Sequence, residues 1–381
     1  MSSVAEIRAQ ALEVAAGWSP GDAPSSWRLT AALFRVIAAH DDLLGSLTRL
    51  PSDRLPALLA SAAVRFLVRR DRPQPLAAYF PEPGQAQPRF DDGFCPATTA
   101  FISDRHEDIM AECARRRYQM NEVARCTQIA LGIAANATSR TEPIGLVDLG
   151  TGAGLGLQLD RYRYHVGRRA SGARESALRL SCEVRGSLEP PQIDLPPIAE
   201  RVGIDIAPID LGDPVATSWL LACAPPEASA LSRLAAAIEV TGQHPAQILA
   251  GDVTRLLPNV FDQFAPGRSV IVTDAYLAVF LPPEACAELV KIMADAGQIR
   301  AVTWLSLDPL VPLGPSGRDS VQGLELPDSL IRDYQEQGVF AVLGARNFHR
   351  GRQDGRLLAR AHPSGQWVEW LNLGTGWVPS R

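Results

Sequence analysis

The residues most able to do chemistry begin at LVDLGTGAGLGL, residues 146–157. An apolar run ends in Asp148, and Gly150, Gly152 and Gly154 follow at every second position. Glycine is needed where φ turns positive or backbone must approach a ligand closely. The amides of a following helix N-terminus would attract a carboxylate or phosphate. The competing reading is a tight strand–helix turn with no ligand. Three later segments follow in a fitting order. VGIDIAP (202–208) ends in Asp205, whose carboxylate can accept both hydroxyls of a ribose, and LAGDVTRLLP (249–258) presents Asp252 to an adenine amino group. VIVTDAYLAVF (270–280) opens a fourth strand at the same edge and carries Asp274. In open α/β sheets ligands sit beyond the carboxyl ends of the strands, where all four segments place their polar residues.

A second set of residues could grip a substrate. RRRYQMNEVARC (115–126) reads as helix, and Arg117, Asn121 and Arg125 recur every four residues on one face, with Glu122 beside them. DRYRYH (160–165) alternates as a strand does, which puts Arg161 and Arg163 on one side. Converging on one pocket, these arginines would hold an anionic group, whereas facing water they would contribute almost nothing. Glu122 or Asp274 would be the base for an acceptor proton. The histidines show no HxH or HExxH spacing, and the chain has no GxSxG elbow, P-loop lysine or CxxC pair. No metal site is expected, and the six cysteines read as buried, reduced thiols.

The elements that must position these residues fall into two sets. Residues 1–140 read as a helical N-terminal domain, interrupted at 71–98 by a loop with six prolines. Residues 141–381 read as an α/β domain, because short β-branched runs such as IGLVDLG, SVIVTDAY and RAVTWLS alternate with helical stretches. The expected sheet is Rossmann-like, with seven strands and a closing antiparallel hairpin at its edge. Between Asp148 and Asp205 lie residues 149–204, far more than the roughly 20 such a fold needs. Residues 160–197 are therefore expected as an insertion, a hairpin or lid over the cofactor edge.

Composition narrows the class. Hydrophobic residues make up 46% and charged residues 21% of 381, mean hydropathy is −0.01 and the net charge is −5. This is a globular composition, with no bulk attraction to nucleic acid or anionic lipid. The N-terminus lacks the apolar run of a signal peptide, and no stretch is apolar enough to span a membrane, so a cytoplasmic protein is expected. Lys291 is the single lysine among the basic residues. Coding bias explains that choice, and arginine forks for carboxylate, phosphate or sulfate are the functional alternative.

The D-x-G-x-G-x-G loop at 148–154, Asp205 and the Gly251-Asp252 pair together resemble class I methyltransferases over about residues 144–310. That resemblance implies S-adenosylmethionine as cofactor, held by Asp148, Gly150, Gly152, Gly154, Asp205 and Asp252. Nearly the whole chain also resembles the bacterial domain of unknown function 2332 family. The matching segments are RRRYQMNEVARC, LDRYRYHVG (159–167), RVGIDIAPIDLGDP (201–214) with SWL (218–220), and SGQWVEW (364–370). It departs from the usual family pattern at Met120, Thr151, Gly152 and Gly156, which suits a specialised paralogue in secondary metabolism. Some relatives are associated with closing strained nitrogen rings by displacing sulfate. The readings are thus a methyltransferase-like enzyme on a small polar or amino-acid-derived substrate; a non-methylating, ring-closing enzyme such as an aziridine-forming one, without that cofactor; and a scaffold binding a nucleoside or a small partner protein.

Overall fold

The computed structural model describes residues 2–18, 25–309, 320–337 and 340–375. The chain divides into two compact units, Met1–Asn121 with Ile209–Ala236, and Glu122–Pro208 with Ala237–Arg381. The expected boundary at 140 moves for a local reason. Residues 126–134 are all buried and, apart from Thr127 and Gln128, carry no polar side chain, and such a helix must be enclosed rather than laid on a surface.

The first unit is helical. It contains α1 (Val4–Gly17), α2 (Ser25–Ala39), α3 (Asp41–Leu47), α4 (Pro56–Arg70), α5 (Phe94–Asp104) and α6 (His106–Arg115). Ser3 and Glu6 form a reciprocal capping box at the start of α1. Leu33, Ile37, Leu43, Leu59, Val64 and Leu67 build its core with Trp219 and Cys223 from the later segment. The buried Arg65 guanidinium donates to the Ala224 carbonyl, and Trp219 Nε1 donates to the Arg117 carbonyl at 2.9 Å.

The second unit begins with α7 (Cys126–Asn136), β1 (Ile144–Leu149) and a 3₁₀ turn at Leu155–Arg161. It continues through β2 (Arg163–Val166), β3 (Arg169–Gly172), β4 (Arg179–Arg185) and β5 (Ile198–Asp205). After α8 (Pro214–Cys223) and α9 (Ala228–Gln243) come β6 (Gln247–Ala250), α10 (Val253–Phe261), β7 (Val270–Ala275), α11 (Pro283–Ala296) and β8 (Val302–Pro309). The ribbon β9 (Ser320–Val321) and β10 (Leu324–Glu325), then α12 (Asp328–Gln337), precede β11 (Ala341–His349), β12 (Arg352–Ala361) and β13 (Trp367–Thr375).

The fold is α/β around one large mixed sheet, in the order β3-β2-β4-β13-β12-β11-β8-β7-β1-β5-β6. Among the described residues the sheet has eleven strands in place of the expected seven, and the β11–β12 hairpin lies inside it rather than at its edge. Residues 160–197 supply β2, β3 and β4 at the far margin, beyond β13. They are not a lid on the β5–β6 side. Leu178, Leu180 and Cys182 alternate inward along this segment, so it carries the half-buried pattern of a strand and not that of a solvated flap.

The strands β6, β5, β1, β7 and β8 are mutually parallel. From β1 the chain builds outward to β5 and β6, then returns to the other side of β1 for β7 and β8. Such a reversal opens a crevice above the carboxyl ends of the two strands that flank it, here β1 and β7. One face packs Val147, Val202, Val272 and Trp304 against Leu257, Phe261, Leu289 and Met293 of α10 and α11. On the opposite side Gly132 of α7 meets Leu305 and Leu343, where an added Cβ would come within 3.2 Å of Leu305. Gln128 of α7 donates to the Gly365 carbonyl at 3.3 Å and contacts Cys182 Sγ at 3.5 Å, so strands distant in the sheet also close on this helix.

Candidate functional site

The glycine loop follows β1 with Gly150, Gly152 and Gly154 all left-handed, at φ +68, +58 and +76. A side chain at these positions would be strained whatever the space. The loop is clasped to β5. Gly150 and Thr151 amides donate to the Ile204 carbonyl at 2.8 and 3.3 Å, and the Gly152 amide donates to Asp205 Oδ2 at 2.8 Å. Gly154 donates to the Thr151 carbonyl at 2.9 Å. The expected α-helical N-terminus is absent, because Leu155–Arg161 is a 3₁₀ turn and most loop amides already have protein acceptors. The loop therefore works first as a clasp and offers little of the expected anion cradle.

Asp205 is the other half of that clasp. Its Oδ1 accepts from the Ala207 amide at 2.7 Å, and its own carbonyl accepts from Gly251 at 2.9 Å, which joins three strand ends. Asp252 is exposed and caps α10, its Oδ1 accepting from the amides of Thr254 and Arg255 and from the Thr254 hydroxyl. The Thr254 hydroxyl and these amides hold its carboxyl below the usual range. Ile206, immediately after Asp205, is 67% exposed.

Asp148 lies at the end of β1, partly exposed, with Thr151 donating to Oδ2 at 2.7 Å and Thr273 to Oδ1 at 2.8 Å. Burial pushes its carboxyl up to about 6 against the pull of the two hydroxyls, and the nearby Asp205 adds to the rise. Gly156 makes room for it, since a Cβ there would lie 2.6 Å from Asp148 Oδ2. A partly exposed carboxyl that titrates near neutrality can take or give a proton.

Asp274 and Asp308 are enclosed at the ends of β7 and β8. Trp304 Nε1 and Ser306 Oγ donate to Asp274 at 2.7 and 2.9 Å, while Ser306 Oγ also lies 3.4 Å from Asp308. Burial, then the Asp308 charge, raises the Asp274 carboxyl well above its ordinary value. Two residues on, Tyr276 stands at φ +65, a left-handed conformation uncommon for a bulky residue. The Arg125 guanidinium lies 3.5 Å from the centre of its ring. Burial pushes the Tyr276 phenol up to about 12, outweighing the nearby Arg125 cation.

The chain matches the family described as "Uncharacterized protein conserved in bacteria (DUF2332)" over residues 9–370. It belongs to that family. No curated protein matches it.

In this DUF2332 chain the residues nominated at 115–126 do not share a helical face. α6 stops at Arg115, residues 116–122 are not helical, and Val123–Arg125 is a separate 3₁₀ turn. Glu112 is buried and paired with Arg116 and the exposed Arg115, and the Arg54 guanidinium donates to the carbonyls of Cys113, Ala114 and Arg116 at the end of α6. Arg117 and Asn121 belong to the first unit, where Arg117 lies 3.6 Å from Asp53. Glu122 and Arg125 belong to the second: Glu122 accepts from the Ala124 amide at 3.1 Å, and Arg125 Nε donates to the Pro363 carbonyl at 2.8 Å. Arg161 and Arg163 are not paired along one strand. Arg161 closes the 3₁₀ turn and donates to Gln158 at 3.1 Å, and Arg163 reaches the Gly172 carbonyl at 3.2 Å.

Sequence reasoning missed Tyr276, Thr151, Thr273 and Asp308. The nearest available signal was the aromatic two residues after Asp274. Among the described residues, no group of His, Cys, Asp or Glu is arranged to hold a metal, and no helix is long and apolar enough to cross a membrane. The six cysteines are free, with Cys113, Cys126, Cys182 and Cys223 buried and Cys95 exposed. Burial raises the Cys113 thiol to about 12, which makes it a poor nucleophile.

Proposed function

We propose that this chain is a methyltransferase-like enzyme that uses S-adenosylmethionine on a small polar, amino-acid-derived acceptor. The observation that carries the reading is the reversal of strand order at β1, with Asp148, Asp205 and Asp252 at or just past the carboxyl ends of β1, β5 and β6. A Rossmann-like, class I type of sheet is the corresponding reading of β6, β5, β1, β7 and β8, with β11–β13 and β2–β4 as additions.

The donor set fits the nucleoside half of that cofactor. Each Asp205 oxygen carries one amide bond and retains acceptor capacity for one hydroxyl of a vicinal diol. Asp252 caps its helix through Oδ1 alone among the bonds of the described residues, which leaves Oδ2 to an exocyclic amine. Ile206 presents an exposed apolar surface on which a planar base can rest. When bound, the cofactor supplies an electrophilic methyl group on a sulfonium. The protein's part is alignment, which can carry much of the rate in such a transfer. Asp148 is better suited than Glu122 or Asp274 to take the acceptor proton, because Asp274 is enclosed and Glu122 is drawn onto the Ala124 amide.

Calorimetric titration with S-adenosylmethionine and S-adenosylhomocysteine tests the reading. Binding that disappears in Asp205→Ala supports it. No heat and no thermal stabilisation by either ligand at millimolar concentration refutes it. The elevated Asp148 carboxyl also favours a second reading on the same scaffold, a ring-closing substitution in which a carboxylate takes a proton from a substrate amine while the nitrogen bonds to carbon and sulfate leaves with the electrons of the broken C–O bond. Turnover of an aminated substrate by protein that binds neither adenosyl ligand would select it.

A further inference from the structure

We propose that Tyr276 is the substrate-positioning residue of this site, its hydroxyl donating to a carboxylate on the acceptor. The inference rests on the reading above only in placing the acceptor at the carboxyl ends of β1 and β7. Four observations on the second unit converge on this residue.

The Tyr276 oxygen is buried and has no hydrogen-bond partner among the described residues. Native chains leave few buried polar groups unsatisfied, and a bound polar group is one way such an atom is satisfied. Its backbone is left-handed at φ +65, a conformation that persists only where the surroundings over-determine it and that clusters at ligand sites. Its amide is anchored to the Leu307 carbonyl at 2.9 Å, so the residue is held in that conformation by β8. The ring, partly exposed, stacks on Arg125 at 3.5 Å, and Arg125 is itself tied to the Pro363 carbonyl.

The chemistry of the ligand follows from these neighbours. A phenol kept protonated by burial is a donor at neutral pH, and a cation behind the ring polarises the O–H toward an anion. Asp308 and Tyr334 are the other titratable groups that act on the phenol. Along the adjoining strand ends, Leu149 is paired in register with Asp274, and Leu277 packs over Gly150. That register sets Tyr276 beside the glycine loop, on the side of β1 away from Asp205. An amino-acid-like acceptor would therefore meet Tyr276 through its carboxylate and Asp148 through its amine.

The test uses the full chain with glycine, acetate and glycinamide as probes, each with and without S-adenosylhomocysteine. Tyr276→Phe removes a hydroxyl with no partner among the described residues, so the free variant should melt within about 2 °C of the wild type, because no hydrogen bond among those residues is lost. Glycine and acetate should stabilise the wild type and lose at least about tenfold in affinity in Tyr276→Phe, the scale of one hydrogen bond to a charged group. Glycinamide should bind weakly to both proteins. Equal carboxylate affinity in the two proteins, no carboxylate binding to the wild type at 20-fold molar excess over about 1 mM protein, or a large drop in melting temperature of Tyr276→Phe each overturns the assignment. S-adenosylhomocysteine separates the two ideas: if it fails to bind while the carboxylates bind in a Tyr276-dependent way, the cofactor reading falls and this one stands.

Discussion

Asp148→Asn probes the site where the structure makes its firmest energetic statement. Burial raises the Asp148 carboxyl from 3.8 to about 6 in the folded chain. A carboxyl with a folded value above its unfolded one binds more protons when folded, so stability falls as pH rises from about 4 to about 6 and is level beyond. Each unit of displacement is worth about 1.4 kcal/mol, so ionisation of Asp148 costs the native state about 3 kcal/mol at most. Partial exposure lowers the expectation to about 1–2 kcal/mol. Asparagine keeps the shape and removes the charge. Its carbonyl can accept from Thr151, and its amide can face Thr273, whose hydroxyl also lies 3.3 Å from the Val147 carbonyl and can turn to it. Asp148→Asn should therefore melt higher than the wild type at pH 7.5, by roughly 2–8 °C for a unit of this size. The gap should close by about pH 4. Differential scanning fluorimetry of both proteins from pH 4 to pH 8 measures it, and other titrating groups cancel in the difference. A variant less stable at pH 7.5, or a gap that does not change with pH, would refute the reasoning.

Asp205→Ala removes the acceptor for the Gly152 and Ala207 amides, and each bond to a charged group is worth about 1.5–3 kcal/mol, so denaturant unfolding should show a loss of at least about 2 kcal/mol. Asp205→Asn, which can retain part of the clasp, should fall between that variant and the wild type. Asp252→Ala removes a helix cap worth about 1 kcal/mol, and a loss much above 2 kcal/mol would show a further structural role. Gly156→Ala should be destabilising and should shift the Asp148 titration, because its methyl would sit 2.6 Å from Asp148 Oδ2, and carboxylate NMR would report that shift.

How far the site was legible depends on how local its causes are. The glycines after Asp148 were readable because three left-handed residues in seven positions admit few side chains. The order of Asp148, Asp205, Asp252 and Asp274 at strand ends was readable because buried parallel strands are near-continuous apolar runs that stop at a polar residue. The helix expected at 115–126 failed on a long-range term. Its i, i+4 spacing is sound, yet distant donors take the carbonyls where the helix would continue: Arg54 donates to those of Cys113, Ala114 and Arg116, and Trp219 to that of Arg117, and α6 stops at Arg115.

By itself the sequence determined an α/β chain of this family, the strand ends that carry carboxylates, and the loop that must turn left-handed, since each follows from residue type and short-range spacing. Only the tertiary structure decided that residues 160–197 extend the far margin of the sheet, that the loop amides are spent on β5, and that Asp148 rather than Asp274 keeps an open edge. The physical reason is the same in each case. Strand pairing, the acceptors available to a buried amide and the desolvation of a carboxyl are set by groups tens to hundreds of residues away in the chain, and no local pattern records them.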